Sequence, residues 1–175
     1  MEAKNEPAQR TTDAARPRLS IVVPLFNEAE SLGVLVGEID AAAALIGASH
    51  EIIFVNDGST DGSQAALTAI AQARPNVRLI EFRRNFGKAA ALDAGFRAAS
   101  GDVVFTMDAD LQDDPAEMAK FLARLDEGFD VVSGWKQRRQ DPLDKTAPSK
   151  IFNAVVSRVS GVRLNDFNCG FKAYR

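Results

Sequence analysis

The residues best suited to chemistry lie in one stretch, GDVVFTMDADLQDDP at 101–115. An apolar run from Val103 to Met107 gives way to Asp108 and Asp110, with Asp113, Asp114 and Pro115 close behind. Two carboxylates one residue apart, where a strand frays into a turn, can both face one hard cation, and oxygen donors suit Mg²⁺ or Mn²⁺. Asp also forms turns and helix N-caps. Asp114 precedes a proline that fits the first helical position, and is expected to be such a cap. A turn does not need two acids in tandem at the end of so apolar a strand, so Asp108 and Asp110 are assigned to a metal and phosphate site.

The elements that must present this stretch follow a rhythm from Leu19 onward. Strand-like runs cover 19–27, 51–57, 77–82, 103–107 and 129–135. Between them lie helical patterns. The first is capped from Asn27, Glu28 and Glu30 and runs to Ile46, where Gly47 stops it; the second follows the GSTDGS turn to Ala73. Others span Gly87 to Ser100, Pro115 to Glu127 and Pro148 to Ser160. This alternation predicts right-handed βαβ crossovers and an α/β fold of three αβα layers around a mostly parallel, Rossmann-like sheet. Ligands of such sheets bind outside the carboxyl ends of the strands, where the strand order reverses. Polar or basic residues end all five runs: Asn27 and Glu28, Asn56 to Ser59, Arg83 to Asn85, Asp108 and Asp110, and Lys136, Arg138 and Arg139.

Composition narrows the classes. With 46% hydrophobic and 26% charged residues, 175 residues suffice for one domain with a real core. A net charge of −3 gives no general reason to expect nucleic acid, although the arginines above form local basic clusters suited to phosphates. The single cysteine, Cys169, excludes an intrachain disulfide and makes a reducing, cytoplasmic setting the default. The lone His50 is expected at the surface. Residues 1–18 are polar, hold Pro7 and Pro17, and read as a disordered arm; no run of apolar residues is long enough to cross a membrane. The first strand is followed by neither GxGxxG nor a Walker A lysine motif, so the common dinucleotide and P-loop readings fail.

Taken together, PLFNE (24–28), NDGSTDGS (56–63), NFGKAAALDAG (85–95), DADLQDDP (108–115) and GWKQRRQD (134–141) resemble the successive motifs of family 2 glycosyltransferases with the type A fold. With DFNCGFKAYR (166–175), the likeness is closest to the branch holding dolichyl-phosphate mannose synthase and bacterial polyprenyl-phosphate glycosyltransferases. The resemblance makes 19–175 a catalytic domain. It implies that Asp57 accepts from the uracil or guanine ring of a UDP- or GDP-sugar. Pro24, Phe26 and Glu28 would wall the nucleoside pocket, and Lys88, Asp108 and Ala109 would join the nucleotide-sugar site. Asp108 and Asp110 would hold Mg²⁺ or Mn²⁺, with Gln112 beside them. Arg138 and Arg139 would meet the phosphate of a polyprenyl acceptor, and Asp166 stands where relatives carry an acid important for transfer; it could equally be a turn aspartate.

The chemistry implied is metal-dependent, inverting sugar transfer at the inner face of the cytoplasmic membrane, with peripheral membrane contact and self-association left open. A phosphate acceptor is already ionised at neutral pH and needs positioning more than deprotonation, whereas a polysaccharide hydroxyl would need a carboxylate base such as Asp166 or Asp141. Relatives continue past a CGFKAYR-like motif. This implies a C-terminally truncated domain, a sheet edge without its partner strand, and partial exposure of Phe167, Phe171 and Tyr174. An incomplete member that binds only nucleotide and metal is the alternative.

Overall fold

The computed structural model describes residues 18–134 and 169–175. The expected N-terminal arm, Trp135, Lys136, Arg138, Arg139, Asp141, the expected helix at 148–160, Asp166 and Phe167 lie outside them.

Among the described residues the elements run β1 (Leu19–Leu25), α1 (Leu32–Ile46), β2 (His50–Asn56), α2 (Ser63–Ala73), β3 (Val77–Glu81), α3 (Lys88–Ala98), β4 (Val103–Thr106), a 3₁₀ turn (Pro115–Glu117) leading into α4 (Met118–Asp126), β5 (Val131–Ser133) and β6 (Lys172–Tyr174). The strands order as β3-β2-β1-β4-β6-β5. β1 to β4 are parallel, and β6 is antiparallel to both β4 and β5. The mixed sheet is therefore mostly parallel, as the alternating pattern predicts.

The period-two alternation of side chains splits the core into two layers. Ile21, Val23, Ile52, Phe54 and Phe105 face α1 and α4 with Leu32, Leu35, Ile39, Met118 and Leu122. Val22, Ile53 and Val55 face the other way, onto Ala91 of α3. Ala91, with Ala94 and Ala98 beside it, thus serves close packing of helix on sheet.

Two expectations are corrected. The C-terminal motif was expected to leave Phe171 partly exposed. Instead Lys172–Tyr174 is a strand inside the sheet, paired Thr106↔Lys172 on one side and Ser133↔Lys172 on the other, with β5 at the edge. Phe171 is buried, its ring stacked on Phe121 at 4.5 Å between centroids; Tyr174, which meets Phe96 edge-on at 5.2 Å, is partly exposed as expected. His50, expected at the surface, is only 14% exposed through its side chain; Nε2 lies 2.8 Å from Asp40 Oδ1 and 3.1 Å from Asn76 Nδ2.

The amino-terminal ends of the strands, opposite the candidate site, are fastened by a buried carboxylate. Glu51 Oε1 accepts from the Ser20 hydroxyl (2.6 Å), the Ser100 hydroxyl (2.7 Å) and the Ser100 N–H (2.8 Å), while Oε2 pairs with Arg78 at 3.2 Å. Burial pushes its pKa up, but the hydrogen bonds from Ser20, Ser100 and Arg78 outweigh burial and hold it below the ordinary value. A depressed folded pKa stabilises the protein at pH above the unfolded carboxylate value and loses that stabilisation as pH falls through the folded value. Glu51→Ala should cost about 2–3 kcal/mol at neutral pH, because it leaves buried hydroxyl and N–H donors unmatched. Urea denaturation of the wild type and the variant at neutral and acid pH should show the two curves converging as pH falls.

Candidate functional site

The chain runs from β1 outward through β2 to β3, then returns to lay β4 on the other side of β1. The switch point is therefore the crevice between the carboxyl ends of β1 and β4, where ligands of open α/β sheets bind. Residues 26–31 leave β1 there, and 107–114 leave β4.

The first loop is not a helix cap. Asn27 was expected to cap α1, yet that helix begins after Ser31, and Asn27 adopts a left-handed φ of 60°. The cause is a competing partner, since Asn27 Oδ1 accepts from the Thr60 N–H at 2.8 Å. The loop after β2 provides the rest of the fastening. Ser59 Oγ accepts from the Asn27 N–H (2.9 Å), Ser63 Oγ from the Glu28 N–H (2.9 Å) and Asp61 Oδ2 from the Ala29 N–H (3.3 Å). The NDGSTDGS motif is thus the clamp that orders the loop carrying Glu28, a role sequence reasoning missed. Its Gly58 is required twice over: φ is +71°, and a Cβ there would lie 2.6 Å from Arg84 Cα and 2.7 Å from Asn85 N.

Pro24, Leu25, Phe26, Asp57, Asn85, Gly87, Lys88 and Ala91 line one pocket of about 220 Å³. Four residues implied by the resemblance, Pro24, Phe26, Asp57 and Lys88, are thereby brought together. Asp57 is 4% exposed, and its carboxylate accepts from the Phe86 N–H at 2.7 Å and the Gly87 N–H at 2.9 Å. It ties the end of β2 to the loop before α3, a structural duty its sequence context did not announce. Arg84 lies over the Phe86 ring, 4.9 Å from the centroid, on the same loop.

Lys88 joins this pocket to the acidic loop by an ion pair with Asp108. Beyond β4, Ala109 is buried and Asp110 exposed, with Asp110 Oδ1 accepting from the Gln112 N–H at 3.1 Å in a local turn. The Gln112 residue is exposed. Asp114 is the N-cap expected of it, accepting from the Ala116 N–H at 2.9 Å with Pro115 following. Asp113 is buried and accepts from the Asp108 N–H at 3.2 Å. Glu28 belongs to a neighbouring cleft of about 700 Å³ with Asn27, Asp61 and Leu111. Burial, and then the carboxylates of Asp110, Asp61 and Asp108, raise the Glu28 pKa. The crevice is therefore a region of negative potential where a cation is favoured.

A divalent cation fits the donor set. Among the described residues no three acidic, His or Cys side chains gather into a ready-made ligand cage. Mg²⁺ and its like are commonly held by one or two carboxylates, with water and substrate phosphate supplying the remaining oxygens. Asp108 and Asp110 are two carboxylates of the kind such a partial set needs, and Asp108 adjoins the pocket through Lys88. No described helix is long and apolar enough to cross a membrane.

The family model for glycosyl transferase family 2 matches residues 20–175. The chain is 40% identical over 159 residues to an undecaprenyl-phosphate 4-deoxy-4-formamido-L-arabinose transferase of Klebsiella pneumoniae, and 41% identical to that of Salmonella enteritidis; each match covers 90% of this chain and 49% of the relative. The chain thus spans about half the length of these relatives. Among solved structures, a mannosyltransferase from Pyrobaculum calidifontis in complex with GDP-Man and Mn²⁺ superposes with a TM-score of 0.62 at 26% identity, covering 97% of this chain and 48% of that one. Glucosyl-3-phosphoglycerate synthase from Mycobacterium tuberculosis, with Mn²⁺ and UDP-glucose, gives 0.65 at 24% identity over 92% of this chain and 56% of that one, a likeness of fold.

Proposed function

Because this chain belongs to glycosyl transferase family 2 and has its type A fold, we propose that it transfers a sugar from a UDP- or GDP-sugar to a polyprenyl phosphate, with a divalent cation and with inversion. One observation carries the proposal: a pocket over the carboxyl ends of β1 and β2, lined by Pro24, Phe26, Asp57 and Lys88, adjoins Asp108 beyond β4 through the Lys88 ion pair. Nucleoside and diphosphate would lie along that line.

The residues divide the work by chemistry. Pro24 and Phe26 supply apolar walls against the base, and Asp57 has lone pairs left beyond its two backbone bonds to accept from a ring N–H. Lys88, a compact point charge, would exchange Asp108 for a phosphate oxygen once donor binds. Asp108 and Asp110 would hold Mg²⁺ or Mn²⁺, which when bound acts as a Lewis acid on the departing diphosphate; Ala109, Gln112 and Glu28 would border it. The acceptor phosphate arrives ionised, so the task left to Arg138 and Arg139 is to hold it in line with the anomeric carbon. A single in-line displacement inverts that carbon. Asp166 would assist transfer. The named relatives' undecaprenyl-phosphate transferase activity supports the choice of acceptor.

Calorimetry with UDP and with GDP, each in Mn²⁺ and in EDTA, tests the donor half. Binding of one nucleotide that depends on Mn²⁺ is the expected result, and no binding by a folded sample would overturn it. With labelled UDP- or GDP-sugar and undecaprenyl phosphate, label should enter the lipid phase; label in a saccharide product would point instead to a hydroxyl acceptor.

A further inference from the structure

The C-terminal CGFK segment does more than complete the sheet. It runs back across the carboxyl end of β4, where the Thr106 hydroxyl donates to the Gly170 carbonyl at 2.7 Å and residue 172 pairs with residue 106. A Cβ built on Gly170 has the Asp108 carboxylate as its three nearest neighbours, with Cγ and Oδ1 each 2.6 Å away. The carboxylate therefore rests on the bare Cα of Gly170, while Lys88 meets it from α3.

Gly170 lies outside the left-handed region, so its backbone conformation is open to any L-residue. The need for glycine is contact with Asp108 alone. The backbone has little freedom to yield, because Cys169 and Phe171 on either side are buried and Phe171 is stacked on Phe121. Gly134 adds a further tie, its N–H donating to the Phe171 carbonyl at 2.9 Å. Asp108 is the partner that can move, since its side chain is 26% exposed and can swing toward solvent.

We propose that Gly170 is a positioning residue: the absence of a side chain there sets the Asp108 carboxylate in the place from which it would hold the cation. The inference rests on the assignment of Asp108 to the cation. It gives the C-terminal strand a part in the donor site.

The test is Gly170→Ala in the full chain, read by Mn²⁺ titration in the presence of the nucleotide the wild type binds. Because a short side chain can swing aside, the variant should keep its circular dichroism spectrum and thermal midpoint. Its Mn²⁺ affinity should fall about 10–100-fold, the usual effect of losing a group that orients a metal ligand. In an Asp108→Ala background the same substitution should change Mn²⁺ affinity no further. Equal Mn²⁺ affinity in Gly170→Ala and wild type would overturn the proposal, as would an equal loss in both backgrounds. Should Gly170→Ala fail to fold, folding restored by Asp108→Ala would uphold the contact, and unfolding in both backgrounds would overturn it. A wild type that binds no Mn²⁺ with either nucleotide overturns the functional reading and this inference together. Wild-type binding matched by the variant overturns the role of Gly170 alone.

Discussion

Asp108→Ala is expected to lose Mn²⁺-dependent nucleotide binding, with a fall in affinity exceeding the roughly 10–100-fold that removal of a mere outer-shell partner costs. Asp110→Ala should show the same loss in kind. On the proposed reading the two carboxylates would be the part of a cation's oxygen set that the β4 loop supplies, with water and phosphate filling the rest. Removing either leaves a single carboxylate beside a cation that must be stripped of part of its hydration shell. The variants differ in what else they disturb. Asp110→Ala also breaks the turn in which Oδ1 accepts from the Gln112 N–H, whereas Asp108→Ala frees Lys88 from its ion pair.

That difference gives the prediction a second edge. Lys88 lines the pocket that contains Asp57, so a lysine freed from Asp108 can pair with phosphate unaided. Nucleotide binding in EDTA should then be as strong in Asp108→Ala as in the wild type, or stronger. Calorimetry in Mn²⁺ and in EDTA reads both effects from one pair of samples. Metal dependence that survives either substitution would place the cation elsewhere.

How much of this was legible beforehand depends on the range of the interactions involved. The β1–β4 succession shows in the sequence because each strand is an apolar run closed by Gly, Asp or Asn, a local signal. Asp114 as a cap is equally local, settled within three residues. β6 escaped notice because three residues carry no usable periodicity, and its identity comes from pairing with β4 some 66 residues earlier by the Thr106↔Lys172 register. The same holds for Phe171, whose burial depends on Phe121 across the chain. Asn27 was misread as a cap for a related reason. Asn is a good cap in isolation, but the Thr60 N–H from another loop competes for its oxygen and wins. Residues that chemistry singles out by type alone, the acids of DADLQDD, were visible; the residues that hold them in place, Gly170 above all, were not. A glycine announces nothing until its neighbour is known.

Asp57 is where the two kinds of role meet, and its substitution should be felt in both fold and binding. The resemblance alone would have Asp57→Ala weaken nucleoside binding and spare the fold. The geometry argues for more. The carboxylate is 4% exposed and accepts from two backbone N–H groups, those of Phe86 and Gly87. Alanine leaves both donors without their acceptor, at about 1–3 kcal/mol for each group that stays buried. A loss of about 2–4 kcal/mol is therefore expected in urea denaturation, a large fraction of the stability of a domain this size. The loop from Phe82 to Lys88 should loosen with it, carrying Asn85 and Lys88 away from the pocket they line. Nucleotide affinity should then fall in EDTA as well as in Mn²⁺, unlike the purely metal-dependent loss in Asp108→Ala. Asp57→Asn separates the contributions. Its amide keeps one acceptor but turns an NH₂ toward the other N–H donor, so it should be destabilised by less than alanine while still losing acceptance from the base. Wild-type stability in Asp57→Ala, together with weakened binding, would return Asp57 to a pure ligand contact.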